Sequence, residues 1–182
     1  DLGITIIYFN PLFESKSNHK YDAVDYMKLD PHFGTNEEFK AFVDDAHSRG
    51  IKIILDVAFN HTGETFWAFQ DAMKNGPKSK YYDWYEWKQW PLPDVSSMNN
   101  YKPIDYYECW WGHGHMPNLN FDFDEANPSE NSIKDINLAN PHWDVVNYVL
   151  DVGEYWISDM NLDGFRLDVP NEVPFWFWKL FR

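Results

Sequence analysis

The sequence predicts an α/β fold, and three observations carry that expectation. Apolar runs of strand length stand at residues 3–9, 51–57 and 165–169. A helical pattern with its own start and stop signals lies between the first two runs, and another precedes the third. Strand and helix therefore alternate, the order that builds a parallel sheet covered by helices.

GITIIYF, residues 3–9, is ended by the Asn10-Pro11 breaker. A polar loop is expected over SKSNHKYDAVDY, residues 15–26. The first helix follows. Thr35 and Glu38 have capping-box spacing, and Phe39, Phe42, Val43 and Ala46 recur at helical intervals. Arg49 falls in its last turn and Gly50 just after it, as a helix end prefers. IKIILDV, residues 51–57, is the second strand, and its nearly continuous apolar character suits a sheet buried on both faces.

The rhythm breaks between Thr62 and Asn120, a stretch rich in Trp, Tyr, Gly, Pro and Asn with no long helical period. Disordered segments are poor in aromatics, so an irregular inserted subdomain is expected rather than disorder. After Asn140 a helix resumes, with Pro141 at its first position and Val145, Val146, Val149, Leu150, Trp156 and Ile157 as its apolar stripe. The turn MNLDG leads into the third strand, Phe165–Val169, and a last helix is expected to begin near Asn171. The divisions are thus residues 1–61, the insertion 62–120, and residues 121–182. Three strands are too few to complete an α/β domain. The chain opens at Asp1 without an initiator Met or a signal-peptide pattern and stops at Arg182 inside an apparent helix, so a fragment of a longer protein is expected.

Composition narrows the partners. Fifteen Lys and Arg stand against 29 Asp and Glu in 182 residues, a formal charge of −14. That balance repels polyphosphate and anionic lipid, so neither nucleic acid nor membrane is an expected partner. No apolar run approaches the roughly 20 residues of a membrane span. Aromatic residues make up 19% of the chain. A neutral ligand that stacks on rings fits this surface, and sugars are the obvious class. A single cysteine, Cys109, rules out an internal disulfide framework.

The second strand leads into DVAFNH, residues 56–61, and the third into RLDVPNEV, residues 166–173. Each brings an Asp to the carboxyl edge of a parallel strand, the edge where α/β proteins carry their chemistry. Alternation along the third strand puts Arg166 and Asp168 on one face. A guanidinium beside a partly desolvated carboxylate favours its charged form. An ionised, positioned carboxylate is what a retaining glycosidase uses as its nucleophile. The same spacing serves equally well for a structural ion pair, because buried carboxylates need a partner.

Four stretches in order resemble the catalytic domain of the alpha-amylase superfamily. GITIIYFNP looks like that family's second barrel strand, DVAFNH like its third-strand motif, MPNLN (residues 116–120) like the signature closing its inserted domain B, and GFRLDVPNEV like its fourth-strand motif. The resemblance implies a partial (β/α)8 TIM barrel, strands two to four, with an irregular domain B after the third strand. It implies a retaining hydrolase of α-glucosidic bonds, with Asp168 as nucleophile and Arg166 holding and charging it as the catalytic pair. His61 and Tyr21 would bind the sugar in the subsite being cleaved, Asn171 and Glu172 would face the leaving-group side, and Asp56 and Asn60 would support the site.

MPNLN together with NEV, and YYDWYEWKQWPL at residues 81–92, narrow the resemblance to the neopullulanase, cyclomaltodextrinase and maltogenic amylase group. That group's common form has Ala where Pro170 stands. The implied substrates are α-1,4-linked starch-type oligosaccharides, cyclodextrins or pullulan, and the implied setting is a cytoplasmic, homodimeric parent enzyme. The Trp-rich stretches WYEWKQW and YYECWWGHGH fit either sugar platforms or, for most of their rings, the packing of a small subdomain.

No metal or cofactor is expected. HGH at residues 113–115 lacks further ligands at zinc spacing. Of the positions that bind calcium in the calcium-dependent amylases, Asn60 matches, but Asn118 stands for an Asp and Glu172 for a His. The family's general-acid Glu and third carboxylate follow later strands and have no counterpart here. Two alternatives stay open: a non-catalytic amylase-like module that binds a partner, as in the heavy chains of amino-acid transporters, and an α-amylase or oligo-1,6-glucosidase. The non-catalytic relatives lose catalytic residues, whereas Asp168, Arg166 and His61 are present.

Overall fold

The computed structural model describes residues 2–93, 102–124 and 135–182. In chain order its elements are β1 (Ile6–Phe9), β2 (Phe13–Ser15), β3 (Ala23–Leu29), α1 (Asn36–Ser48), β4 (Lys52–Val57), α2 (Trp67–Asn75), α3 (Trp143–Glu154), β5 (Gly164–Leu167) and α4 (Phe175–Phe181). β4 lies between β1 and β5 in one parallel sheet, with Phe9 opposite Leu55 and Asp56 opposite Arg166.

This register sorts the side chains. Ile53, Leu55 and Val57 point one way and are fully buried, in a core shared with Phe39, Val43 and Ala46 of α1 and Val145, Val146 and Val149 of α3. The intervening positions face the other way: Ile6 and Tyr8, Ile54 and Asp56, and Arg166. One face of the sheet holds the fold together, and the other carries charge.

α1 begins as its cap residues dictate. Thr35 accepts from the Glu38 N–H at 3.2 Å, and the Glu38 carboxylate accepts from the Thr35 N–H at 2.9 Å. Gly50 closes the helix at φ +73°, a backbone that glycine adopts without strain. α3 starts at Trp143 rather than at Pro141. The reason is an antiparallel pairing of 121–123 with 140–142, through Phe123 N–H to Asn140 carbonyl and His142 N–H to Phe121 carbonyl, which keeps Pro141 extended. α3 runs on into a π-helical turn, Tyr155–Asp159.

Residues 15–26 differ from the expected polar loop. Phe13–Ser15 and Ala23–Leu29 pair as an irregular antiparallel hairpin. Its acidic residues break the alternation by which a strand is read, while Ala23, Tyr26 and Leu29 are buried. α2 is likewise unmarked in the sequence. It is nine residues long, too short for a helical period to stand out, yet buries Ala68, Phe69 and Ala72. β5 ends at Leu167, two residues before the expected Val169, because Val169 turns to φ +39°. The final helix starts at Phe175, after a 3-10 turn at Pro170–Glu172, not near Asn171.

Most rings in residues 62–120 are packing. Phe69 and Tyr82 each stack on Trp87, with interplanar angles of 5° and 6°, and Trp84 is buried. Among the described residues no helix is long and apolar enough to cross a membrane.

The hairpin is fastened to the chain after β4 at Gly63. Its N–H donates to the Ala23 carbonyl at 2.8 Å, and a Cβ there would stand 2.4 Å from the Asp22 oxygen and 2.8 Å from that of Ala23. Backbone on both sides leaves nothing to yield. Gly63→Ala is therefore expected to destabilise the protein by about 1–3 kcal/mol, seen as a lower urea midpoint with an unchanged m-value. An unshifted midpoint would show that the seam opens without cost.

Candidate active site

The charged face of the sheet is organised around Asp56 at the end of β4. This carboxylate has no solvent exposure. Taking it out of water costs several kcal/mol unless partners replace the lost hydration. Three side chains do so. Arg166 Nη1 lies 3.2 and 3.0 Å from its two oxygens, the Tyr21 hydroxyl donates to Oδ2 at 3.0 Å, and the Tyr8 hydroxyl donates to the same oxygen. Register explains the Arg166 contact, since Asp56 and Arg166 are cross-strand neighbours.

Arg166 also donates to Asp168 Oδ1 at 2.6 Å. Asp168 lies just past β5, and its N–H still donates to the Val57 carbonyl at 2.8 Å, which holds it at the sheet's carboxyl edge. Its side chain is 27% exposed, so it meets solvent where Asp56 does not. Hydrogen bonds to Asp56, and secondarily to Asp168, hold the guanidinium pKa above its ordinary value despite partial desolvation. One cation thus bridges a buried carboxylate and an open one.

Tyr21 is placed by the loop before β3. Lys20 sits at φ +64°, and its ammonium pairs with Asp30 at 2.6 Å with both groups nearly buried. Burial alone would raise the Asp30 carboxyl, but hydrogen bonds from Lys20 and His32 hold it well below the carboxylate range. Burial and the negative charge of Asp56 raise the Tyr21 hydroxyl, which stays a donor.

His61 is joined to this group through the backbone. Its Nε2 lies 3.1 Å from the Tyr21 carbonyl and its Nδ1 2.8 Å from Asn60 Oδ1, and the residue is only 2% exposed. Both nitrogens face oxygen acceptors, so the neutral ring, with its one N–H, donates to only one of them, and Trp110 stacks over the ring at 5.9 Å. Asn60 Nδ2 donates to Glu172 Oε2 at 3.0 Å, and the Trp111 indole donates to Glu172 Oε1 at 3.1 Å. Asn171 is exposed on the Pro170–Glu172 turn.

Asp56, Arg166, Asp168 and Tyr21 therefore meet directly, and His61, Asn60 and Glu172 continue from them as a line of polar contacts. Tyr8 belongs to the same surroundings but was not singled out from the sequence, and Trp110 and Trp111 come from YYECWWGHGH, a stretch whose rings the sequence left open between sugar platforms and packing. For Tyr8 a signal exists: it is the last residue but one of the first strand, as Arg166 is of the third. Trp111 is hidden among neighbouring tryptophans.

At the positions set against the calcium-dependent amylases, Asn60 Oδ1 is met by His61 and its amide nitrogen donates to Glu172, while Asn118 offers one buried amide oxygen. Calcium takes about six to eight oxygens. Among the described residues no group of three His, Cys, Asp or Glu can hold a metal.

Residues 1–176 match the family described as alpha amylase, catalytic domain. The whole chain is 41% identical to a cyclomaltodextrinase from a Bacillus species, of which it spans 28%, and 40% identical to neopullulanase 2 from Thermoactinomyces vulgaris, of which it spans 27%. It superposes with a TM-score of 0.80 on the crystal structure of a debranching enzyme from Nostoc punctiforme, at 36% identity, covering 99% of this chain and 32% of that one. The chain belongs to the alpha-amylase catalytic-domain family. It spans little more than a quarter of the curated relatives named here.

Burial lowers the His61 pKa to about 4, against the upward pull of the Tyr21 carbonyl, from an ordinary 6.5. The folded ring refuses a proton that the unfolded chain accepts, so its contribution to stability is complete above 6.5 and is lost as the pH falls toward 4. The linked loss is up to about 3 kcal/mol. Urea unfolding between pH 7 and 4.5 should show this decline, and His61→Gln should flatten it. His142, also lowered by burial, adds to the slope that remains. An unaltered slope in His61→Gln would mean that the buried ring titrates freely.

Proposed function

We propose that these residues are a section of a retaining α-glucan hydrolase in which Asp168 is the nucleophile, acting on α-1,4 bonds of starch-type oligosaccharides, cyclodextrins or pullulan. One observation carries the reading. Arg166 joins a fully buried carboxylate to a solvent-accessible one at the carboxyl edge of a parallel sheet. A structural ion pair needs no open end. In this reading β1, β4 and β5 are strands two to four of a (β/α)8 barrel, residues 62–120 are the inserted domain B, and the charged sheet face looks into the barrel. Names borne by relatives, cyclomaltodextrinase, neopullulanase and amylopullulanase among them, agree with an α-glucan substrate.

The chemistry then divides among the residues. An Asp168 oxygen attacks the anomeric carbon, the glycosidic C–O bond breaks, and a glycosyl ester forms, which water later hydrolyses. Arg166 fixes the attacking carboxylate, and Asp56 fixes Arg166. Tyr21 and His61 line the glycone subsite, and for His61 Nε2 to reach a sugar its contact with the Tyr21 carbonyl must be given up. The leaving oxygen requires a proton from a second carboxyl about 5 Å from the nucleophile. Asp56 is committed to Arg166 and two tyrosines, and Glu172 to Asn60 and Trp111, so the acid is assigned to a part of the enzyme outside these 182 residues. No cation is called for at Asn60 and Asn118, whose oxygens do not form a calcium cage.

In the whole enzyme, Asp168→Asn should retain the fold and lose nearly all turnover on cyclodextrin, pullulan and starch. Retention of more than about a tenth of kcat, a barrier change below roughly 1.4 kcal/mol, overturns the assignment. Relative rates on the three substrates separate α-1,4 from α-1,6 preference.

The 182 residues expressed alone should not hydrolyse these glucans. β1 and β5 both present open edges, and Ile6 and Tyr8 are about half exposed. Comparable activity in this chain and in one extended to the length of its relatives would show that the acid has been sought in the wrong place.

A further inference from the structure

Trp111 is the most exposed of the large hydrophobic rings among the described residues, at 80%. Single exposed apolar residues are common on protein surfaces and need no explanation. Trp111 differs in being fixed. Its backbone is left-handed, φ 50° and ψ 28°, a conformation that residues with a side chain seldom adopt. Its indole N–H donates to Glu172 Oε1 at 3.1 Å. The other oxygen of Glu172 is held by Asn60 at 3.0 Å, and Asn60 meets His61 at 2.8 Å. An exposed ring is therefore anchored, through Glu172, Asn60 and His61 in series, to the site built around Asp56. The neighbouring rings extend the same line, with Trp110 stacked over His61 at 27° and Trp111 6.3 Å beyond Trp110.

We propose that Trp111 is a stacking platform for a glucose unit at the carboxyl edge of the sheet, held in position by Glu172. This rests on the reading of the site as an α-glucan hydrolase. A pyranose presents C–H groups on its face and hydroxyls around its rim. A fixed indole meets the face, while the carboxylate beside it accepts from the rim. The formal charge of −14 favours an uncharged ligand over an anionic one.

The test compares Trp111→Gly with Trp111→Tyr in the whole enzyme. Glycine removes the ring and suits the left-handed backbone, so misfolding is not the expected result. With maltohexaose, Trp111→Gly should raise KM about tenfold while kcat stays within about threefold, the pattern of lost binding common to ground and transition states. Trp111→Tyr, which keeps a ring, should recover most of the loss. A calorimetric titration of maltohexaose into Asp168→Asn, with and without Trp111→Gly, should show the same tenfold weakening without any turnover. If KM and Kd in Trp111→Gly both stay within about twofold of the parent, the platform is refuted. The two readings fail separately: an active Asp168→Asn sinks the nucleophile and leaves the binding comparison standing, whereas an inactive Asp168→Asn with unmoved Kd in Trp111→Gly sinks only the platform.

Discussion

Asp56 is a carboxylate without solvent exposure, placed on a sheet face whose other positions are partly open. Such a group destabilises a fold unless it is matched, because the cost of removing a charge from water exceeds what a single imperfect contact returns. The match here comes from three elements at once: Arg166 on β5, Tyr8 on β1 and Tyr21 from the loop before β3. Satisfying Asp56 therefore fixes the relative positions of all three parallel strands and of the hairpin. The same arrangement leaves Arg166 with an N–H to donate to Asp168. Fold and chemistry share one ion pair.

The two faces of the sheet divide the labour. Ile53, Leu55 and Val57 sit in a close-packed core that transmits little freedom to β4. Asp56, between Leu55 and Val57, inherits that rigidity, and a site built on a rigid strand is held more accurately than one built on loops. The groups that come from loops are immobilised by other means. Tyr21 follows a buried Lys20–Asp30 pair, and His61 is held between the Tyr21 carbonyl and Asn60.

The aromatic richness of the chain has two separate uses. Trp67, Phe69, Trp84, Tyr85 and Trp87 pack edge-on and face-on against one another and give an irregular segment its own apolar centre. Trp110 and Trp111 stand next to each other in sequence, yet one covers His61 and the other meets water. Composition does not separate these uses. Only contact with the rest of the molecule does.

Features with local causes were legible in the sequence. The capping box at Thr35 and Glu38, Gly50 after α1, the three apolar runs and the Arg166–Asp168 pair all depend on residues within a few positions of one another, where backbone period and side-chain reach leave few options. The tertiary structure decided what lies farther apart. Tyr8 and Tyr21 reach Asp56 across 48 and 35 residues, Trp111 reaches Glu172 across 61, and Asn60 reaches Glu172 across 112. The β2–β3 hairpin and α2 belong with these, since pairing and burial against distant segments hold them where their own patterns are weak. Periodicity tells which face a residue takes along its own strand, but the partner it meets depends on how strands are aligned across the sheet. A slip of one residue in that alignment turns every side chain to the other face, so register is settled by the buried core as a whole.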